Sequence, residues 1–486
     1  MAATDDELDA LTRLYRQQQA DAPQVDLNNR YYDGSFRLEA LGMALPPEIQ
    51  GLYTVVNWPR LVVSAIEERL EIEGIRIGDD PDPDEEMWSW WLHNDLAEQS
   101  TLLHTEAFVT GRAFLTVGVD ETSPGIPRIM AEPASVMTAH TDPRTGAVTA
   151  AARFYTRTDD AGFGQTSHAT LYLPHATRYL VADRGRWAPD PDIDDDEHNM
   201  GVVPVVPVVN RARLHQARGR PLFEDIKGLT DAACRTMTNL QAAQELMAVP
   251  QRVIFGASAS DFVDEKGDQV PKWQAYLGRL LTFPDTEGKI SEFTAASLNN
   301  YHGTLQAYAR QVSALTGLPI RYLGVASEAN PASADAIVAD ESRLIKLAER
   351  TARSLTTPWR RAIALGRQMM YGETRRPETI DVQWRDPATH TQSALADAVV
   401  KLYTATSQAE GPLIPRIEAW KRLGYSPEDR RRLESYYQDD PLSRALAMEG
   451  PANEALGVAP GQPAAPGSVA DRGDAGLGAA GGPPTG

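Results

Sequence analysis

A mixed α+β fold is predicted by a change of hydrophobic rhythm near the middle of this 486-residue chain. Before about residue 220, short runs of alternating apolar residues sit between turn signals, the period-two pattern of strands. After it, apolar residues recur every three or four positions over long stretches, the helical period. Beyond about Gly450 the chain is Gly, Ala and Pro with almost no aliphatic bulk. Such a segment cannot bury enough surface to order itself, so a disordered tail is expected.

Taken in order, Asp5 to Gln19 carries Leu8, Leu11, Leu14 and Tyr15 at helical spacing. A second helix is expected over Trp58 to Leu70, then a short strand at Gly74 to Gly78. An acidic loop from Asp79 leads into one helix holding Trp88, Trp91, Leu96, Leu103 and Phe108, which Gly111 ends. From Arg112 to about Trp187 the alternation predicts β-structure. Pro204 and Pro207 make the run from Val202 to Asn210 an extended edge segment.

In the second half, Leu222 to Val249 reads as a long helix bounded by Pro221 and Pro250. Residues 251–296 read as a small α/β insertion rich in turns. Leu298 to Thr316 places Leu298, Tyr301, Leu305, Tyr308, Val312 and Leu315 at intervals of 3, 4, 3, 4 and 3. That is a seam for packing against other helices, whether in the same chain or in a neighbour. A break follows, and Asn330-Pro331 then offers a cap and first-turn proline for another long helix. Pro358 is expected to kink it. Shorter helices follow at 395–405, 415–423 and 430–437.

Composition narrows the function classes. No run approaches the ~20 apolar residues of a membrane-spanning helix, and the acidic start reads as neither a secretory signal nor a transit peptide. Cys234 is the sole cysteine, so neither an internal disulfide nor a cysteine-built zinc site is possible. The net charge of −20 argues against a sequence-specific DNA binder, which usually presents a basic face. It does not argue against a surface that duplex DNA slides past, since each cation adds grip.

Catalytic signatures are missing. There is no phosphate-binding Gly-x-x-x-x-Gly-Lys-Ser/Thr loop. Gly162-Phe-Gly164 lacks the last glycine of a dinucleotide fingerprint, and Asp190, Asp192 and Asp194 begin a calcium-like loop whose sixth and twelfth positions are Asp195 and Gly201. The nine histidines contain no His-Glu-x-x-His pair. No catalytic, metal or cofactor residue is assigned. The competing reading is a metal-dependent hydrolase or nuclease built from scattered acids such as Glu106, Asp225 and Glu341.

Three stretches carry a resemblance. They are Ala107-Phe-Val-Thr-Gly-Arg-Ala-Phe-Leu-Thr-Val, Val203-Pro-Val-Val-Pro-Val-Val-Asn-Arg, and Leu315-Thr-Gly-Leu-Pro-Ile-Arg-Tyr-Leu-Gly followed by Asn330-Pro-Ala-Ser-Ala-Asp-Ala-Ile. In their order, and in the order of elements from about residue 5 to 440, the chain resembles the portal family of tailed double-stranded DNA phages of the siphophage type. One departure is Ala332-Ser333-Ala334 where the family usually has Ser-Gly. A third reading is another phage head protein, such as a capsid or minor head component.

The resemblance implies the portal fold: an α/β wing over 1–220, stem helices at 221–250 and 297–317, and a clip at 251–296. It further implies a tunnel loop at 318–333, a long kinked wing helix at 334–375 and a helical crown at 376–450, with the tail at 451–486. Tyr322, Leu323, Gly324, Ser327, Glu328 and Asn330 would face DNA. Leu298, Tyr301, Leu305, Tyr308, Val312 and Leu315 would form an inter-subunit seam. The implied assembly is a dodecameric ring at one capsid vertex of the virion, formed in the host cytoplasm, without membrane or cofactor. Its implied partners are double-stranded DNA, the large terminase, major capsid and scaffolding proteins, and the head–tail connector.

Overall fold

The computed structural model describes residues 4–36, 54–78, 83–120, 122–158, 165–183, 186–214, 218–247, 252–255, 280–283, 298–324, 334–372, 377–388, 392–407, 411–412, 414–425 and 427–439. The chain divides into two compact units, Met1–Thr389 and His390–Gly486.

The first unit opens with helix α1 (Asp5–Asp33), started by a reciprocal cap in which Thr4 and Glu7 bond each other's backbone. It continues well past the Gln19 expected from the sequence, through Pro23, and ends at Gly34 with φ 70°. Tertiary contacts outweigh the one backbone bond the proline removes. Val25 is buried, Asn28 accepts from Lys227 Nζ at 2.7 Å, and the Tyr31 hydroxyl meets Asp231 at 3.0 Å.

Helix α2 (Trp58–Glu67) is capped by Asn57 and leads into strand β1 (Ile72–Ile77). The single helix expected over the tryptophan-rich stretch is two, α3 (Glu85–His93) and α4 (Leu96–Thr110). Asp95 breaks it with φ 50°, a left-handed conformation that a helix interior cannot hold. Gly111, at φ 94°, then turns the chain into the next strand as expected.

Strands β2 (Arg112–Val119), β3 (Pro127–Pro133), β4 (Met137–Thr141), β5 (Val148–Thr158), β6 (Gln165–Tyr172), β7 (Thr177–Asp183), β8 (Arg186–Pro189) and β9 (Val205–Val209) follow. They form a three-stranded sheet of order β3-β2-β9 and a five-stranded meander β4-β5-β6-β7-β8, antiparallel throughout. β9 lies on an edge, where Pro207 removes no ladder bond. Leu11 and Leu14 of α1 pack on Ala152, Leu171 and Leu180 of the meander. Each leucine contributes about 2 kcal/mol of hydrophobic stabilisation there.

A turn of 3₁₀ helix at Glu224–Ile226 precedes helix α5 (Lys227–Met247), so the α-helix proper begins later than Leu222. Strands β10 (Arg252–Phe255) and β11 (Leu280–Phe283) pair in parallel within the insertion; its remaining residues lie outside the described ones. Helix α6 (Asn299–Thr316) packs against α5. Helix α7 (Ala334–Tyr371) contains Pro358. It buries Leu344, Ala348, Ala352, Leu355, Trp359 and Ile363 along one face, the amphipathic pattern of a helix laid on a core.

Strand β12 (Ile380–Trp384), which the sequence groups with the crown, pairs antiparallel with β1 inside the first unit. The main core joins α2, α3, α4, β2, α6 and α7 around Trp90, Trp91, Phe108 and Trp359.

The second unit holds helices α8 (Gln392–Thr404), α9 (Arg416–Arg422) and α10 (Pro427–Asp439) and a two-stranded pair, β13 (Thr406–Ser407) with β14 (Gly411–Pro412). Val399, Ile414 and Ala419 form its small core. Residues 440–486, including the tail, lie outside the described residues.

Candidate functional site at the base of residues 325–333

Helix α6 ends at Gly317, where φ is 81° and the backbone N–H donates to the Ser313 carbonyl at 2.9 Å. A side chain from α7 completes this end: Arg343 Nη1 donates to the Ala314 carbonyl at 2.7 Å. A guanidinium on the last carbonyls of a helix also meets the negative end of its dipole. The chain then makes a 3₁₀ turn at Ile320–Leu323 and closes it at Gly324 with φ 75°.

Residues on both sides of 325–333 converge on one carboxylate. Arg321 Nη2 donates to Glu341 Oε1 at 2.5 Å, the Tyr322 hydroxyl donates to the same oxygen at 2.8 Å, and Arg321 Nη1 donates to Asp340 at 2.6 Å. From the turn after α2, Arg69 Nη2 donates to the Tyr322 hydroxyl at 3.0 Å and lies 3.5 Å from Glu341 Oε2. The side chains of Arg69 and Glu341 are only 12% and 10% exposed. Desolvation is therefore offset by several charge-assisted bonds, the condition under which a buried ion pair is tolerated. The result is a clamp that ties the entry and exit of the segment to the turn that follows α2.

The expected loop and seam residues occupy different environments. Tyr322 and Leu323 pack inward against the main core, and Gly324 is exposed. Ser327, Glu328 and Asn330 lie outside the described residues. Leu298, just before α6, and Tyr301 on it are half-buried, Leu305 and Tyr308 are half-buried against the main core, Val312 is fully buried within the chain, and Leu315 is 53% exposed.

The three acids of the hydrolase reading do not meet in a common set. Glu106 lies on α4, its carboxyl raised by burial against hydrogen bonds from Ala134 and Thr110. Asp225 pairs with Arg211 at 3.2 Å and Arg220 at 3.8 Å. Glu341 is engaged in the clamp. Among the described residues no cluster of three His, Cys, Asp or Glu side chains could hold a metal ion.

The acidic run after Asp190 has its own explanation. Buried Arg178 pairs with Glu7, Asp195 and Glu197, and His168 Nδ1 lies 2.9 Å from Asp190. Sequence reading misses Arg69, Arg178, Glu341 and Arg343 as pairing groups, because their partners are distant in the chain or carry no motif. Cys234 is buried on α5, with Val56 N–H donating toward its sulfur at 3.3 Å.

Comparison with known proteins fits this architecture. The family model "Phage portal protein, SPP1 Gp6-like" matches residues 11–412. The portal proteins of Mycobacterium phage D29 and Mycobacterium phage L5 are each 39% identical over 446 residues, spanning 90% of this chain and 89% of theirs. Among solved structures, a chain from the neck of an empty GTA particle, computed with C6 symmetry, aligns at 15% identity and TM-score 0.42, over 79% of this chain and 97% of its own. The match across most of the sequence, at this identity to two portal proteins, makes the chain a member of the SPP1 Gp6-like phage portal protein family.

Proposed function

We propose that this portal protein acts as a homo-oligomeric ring, a dodecamer, at one vertex of the virion capsid. Double-stranded DNA passes through it without sequence readout during packaging and ejection. Helices α5 and α6 form its stem, residues 251–296 the clip that docks the large terminase and later the head–tail connector, and residues 390–450 its crown. Major capsid and scaffolding proteins surround it during assembly in the host cytoplasm. The protein serves as a structural conduit, with chemical energy supplied by a separate motor.

The observation that carries this reading is the clamp. It sets residues 325–333 on a fixed base, and it occupies Arg321 with Asp340 and Glu341. Arg321 is the one cation flanking an otherwise uncharged-or-acidic run, Tyr322 to Asn330. A segment whose nearest guanidinium is already paired makes few lasting phosphate contacts, which suits a surface that DNA slides past.

Electron microscopy of the purified full-length protein tests the reading. Rings with a central channel wide enough for a duplex are expected. Monomers under all assembly conditions would overturn it.

A further inference from the structure

Helix α7 carries a row of cations on the side away from the core. Arg343, Lys346, Arg350, Arg353 and Arg361 are all exposed. At 1.5 Å per residue they span about 27 Å. Glu349 is the only acid between residues 343 and 361, and among the described residues no carboxylate pairs with Lys346, Arg350, Arg353 or Arg361. For a chain of net charge −20 this is a local reversal of sign. The row borders a groove of about 360 Å³ whose lining includes Leu315, Arg343, Lys346 and Arg350, with Asp225 across it already paired to Arg211. Leu315 is 53% exposed there.

The complementary combination occurs on α3 and α4. Leu92 is 61% and Leu102 53% exposed, with exposed Asp95 and Glu98 beside them. Among the described residues neither carboxylate has an ion-pair partner.

On α4 and α7, each face is turned away from the side on which the two helices touch. Trp359 Nε1 donates to His104 Nε2 at 3.1 Å, the point at which α7 and α4 touch through side chains. At 100° per residue, Arg350 lies about 180° around α7 from Trp359, and Leu102 lies about 160° around α4 from His104. A closed ring needs two different, non-overlapping faces on each subunit. A groove that combines an exposed leucine with cations suits a protein edge better than a duplex, because phosphates would leave the leucine wet.

We propose that the cationic face of α7 with Leu315 receives, from a second copy of this chain, the α3–α4 face bearing Leu92, Glu98 and Leu102. This rests on the ring reading above and assigns the residues of its contact.

Charge exchange in the full-length protein tests it. Arg350→Glu and Glu98→Arg, each alone, should raise the concentration for half-assembly about tenfold or more, because like charges then meet. An equimolar mixture of the two variants should assemble as the unmodified protein does, since each reversed face then finds an opposite partner in an alternating ring. Both positions are exposed, so unchanged thermal melting is expected. If Arg350→Glu melts early, Arg353→Glu replaces it on the same row.

If the unmodified protein forms rings and both variants match it, this contact is wrong while the ring reading stands. If assembly is lost in each variant and the mixture does not recover it, the pairing is wrong. Loss of duplex binding with assembly intact would make the row a nucleic-acid surface and also overturn the proposal. If the unmodified protein never assembles, the ring reading itself fails.

Discussion

His104 shows how a single buried side chain sets a pH limit on the first unit. Its Nε2 accepts from Trp359, it is fully buried, and desolvation lowers its pKa to about 3. Unfolded, the ring takes up a proton near its ordinary value of about 6.5. Between those limits the unfolded chain binds more protons, so this group's stabilisation is complete above about pH 6.5 and declines as pH falls. The slope reaches about 1.4 kcal/mol per pH unit. In urea melts at pH 7 and pH 5, His104→Gln, which keeps an acceptor for Trp359, should lose less stability on acidification than the unmodified protein. Glu106, whose carboxyl is raised by burial, acts with the opposite sign in both proteins and cancels in the comparison. An equal loss in both proteins would remove His104 from the account.

At the scale of elements, the joint that links the end of α4, the end of β9 and the approach to α5 depends on two glycines and one asparagine. Asn210 N–H donates to the Gly111 carbonyl at 2.9 Å, Arg220 N–H donates back to the Asn210 carbonyl at 2.9 Å, and Asn210 Nδ2 donates to the Arg220 carbonyl at 2.7 Å. Gly219, with φ 77°, sits where an added Cβ would lie 2.2 Å from the Gly111 oxygen. Gly219→Ala should therefore cost about 3 kcal/mol, read as a lower denaturant midpoint with unchanged slope; an unchanged midpoint would show that the joint relaxes freely.

Much of this level was legible in the chain. Gly111 ends α4, the alternation after Arg112 gives strands, and the seam spacing gives α6, because each is a local signal. Pro23 inside α1 and the break at Asp95 were not legible. The first is carried by contacts to Lys227 and Asp231 some 200 residues away, the second by a left-handed turn that no preceding glycine announces. The clamp was legible only in part: Tyr322 stood out through the resemblance, whereas Arg69 reaches it across 253 positions.

For the whole molecule, stability resides in the main core and two smaller clusters of the first unit and in the separate small core of the second. The segment after Gly450 adds little apolar material to either. A chain truncated at 450 should thus assemble and melt like the full-length protein, measured by microscopy and calorimetry; loss of assembly would give the tail a role its composition does not suggest. The two-ended tether at Glu341 has a mechanical corollary. Any pull on residues 325–333 reaches Arg69 from either direction, so the load enters the body of the protein at one anchorage instead of shearing α6 against α7. Mutational drift within those nine positions can then alter what the segment touches while leaving the register of both flanking helices alone.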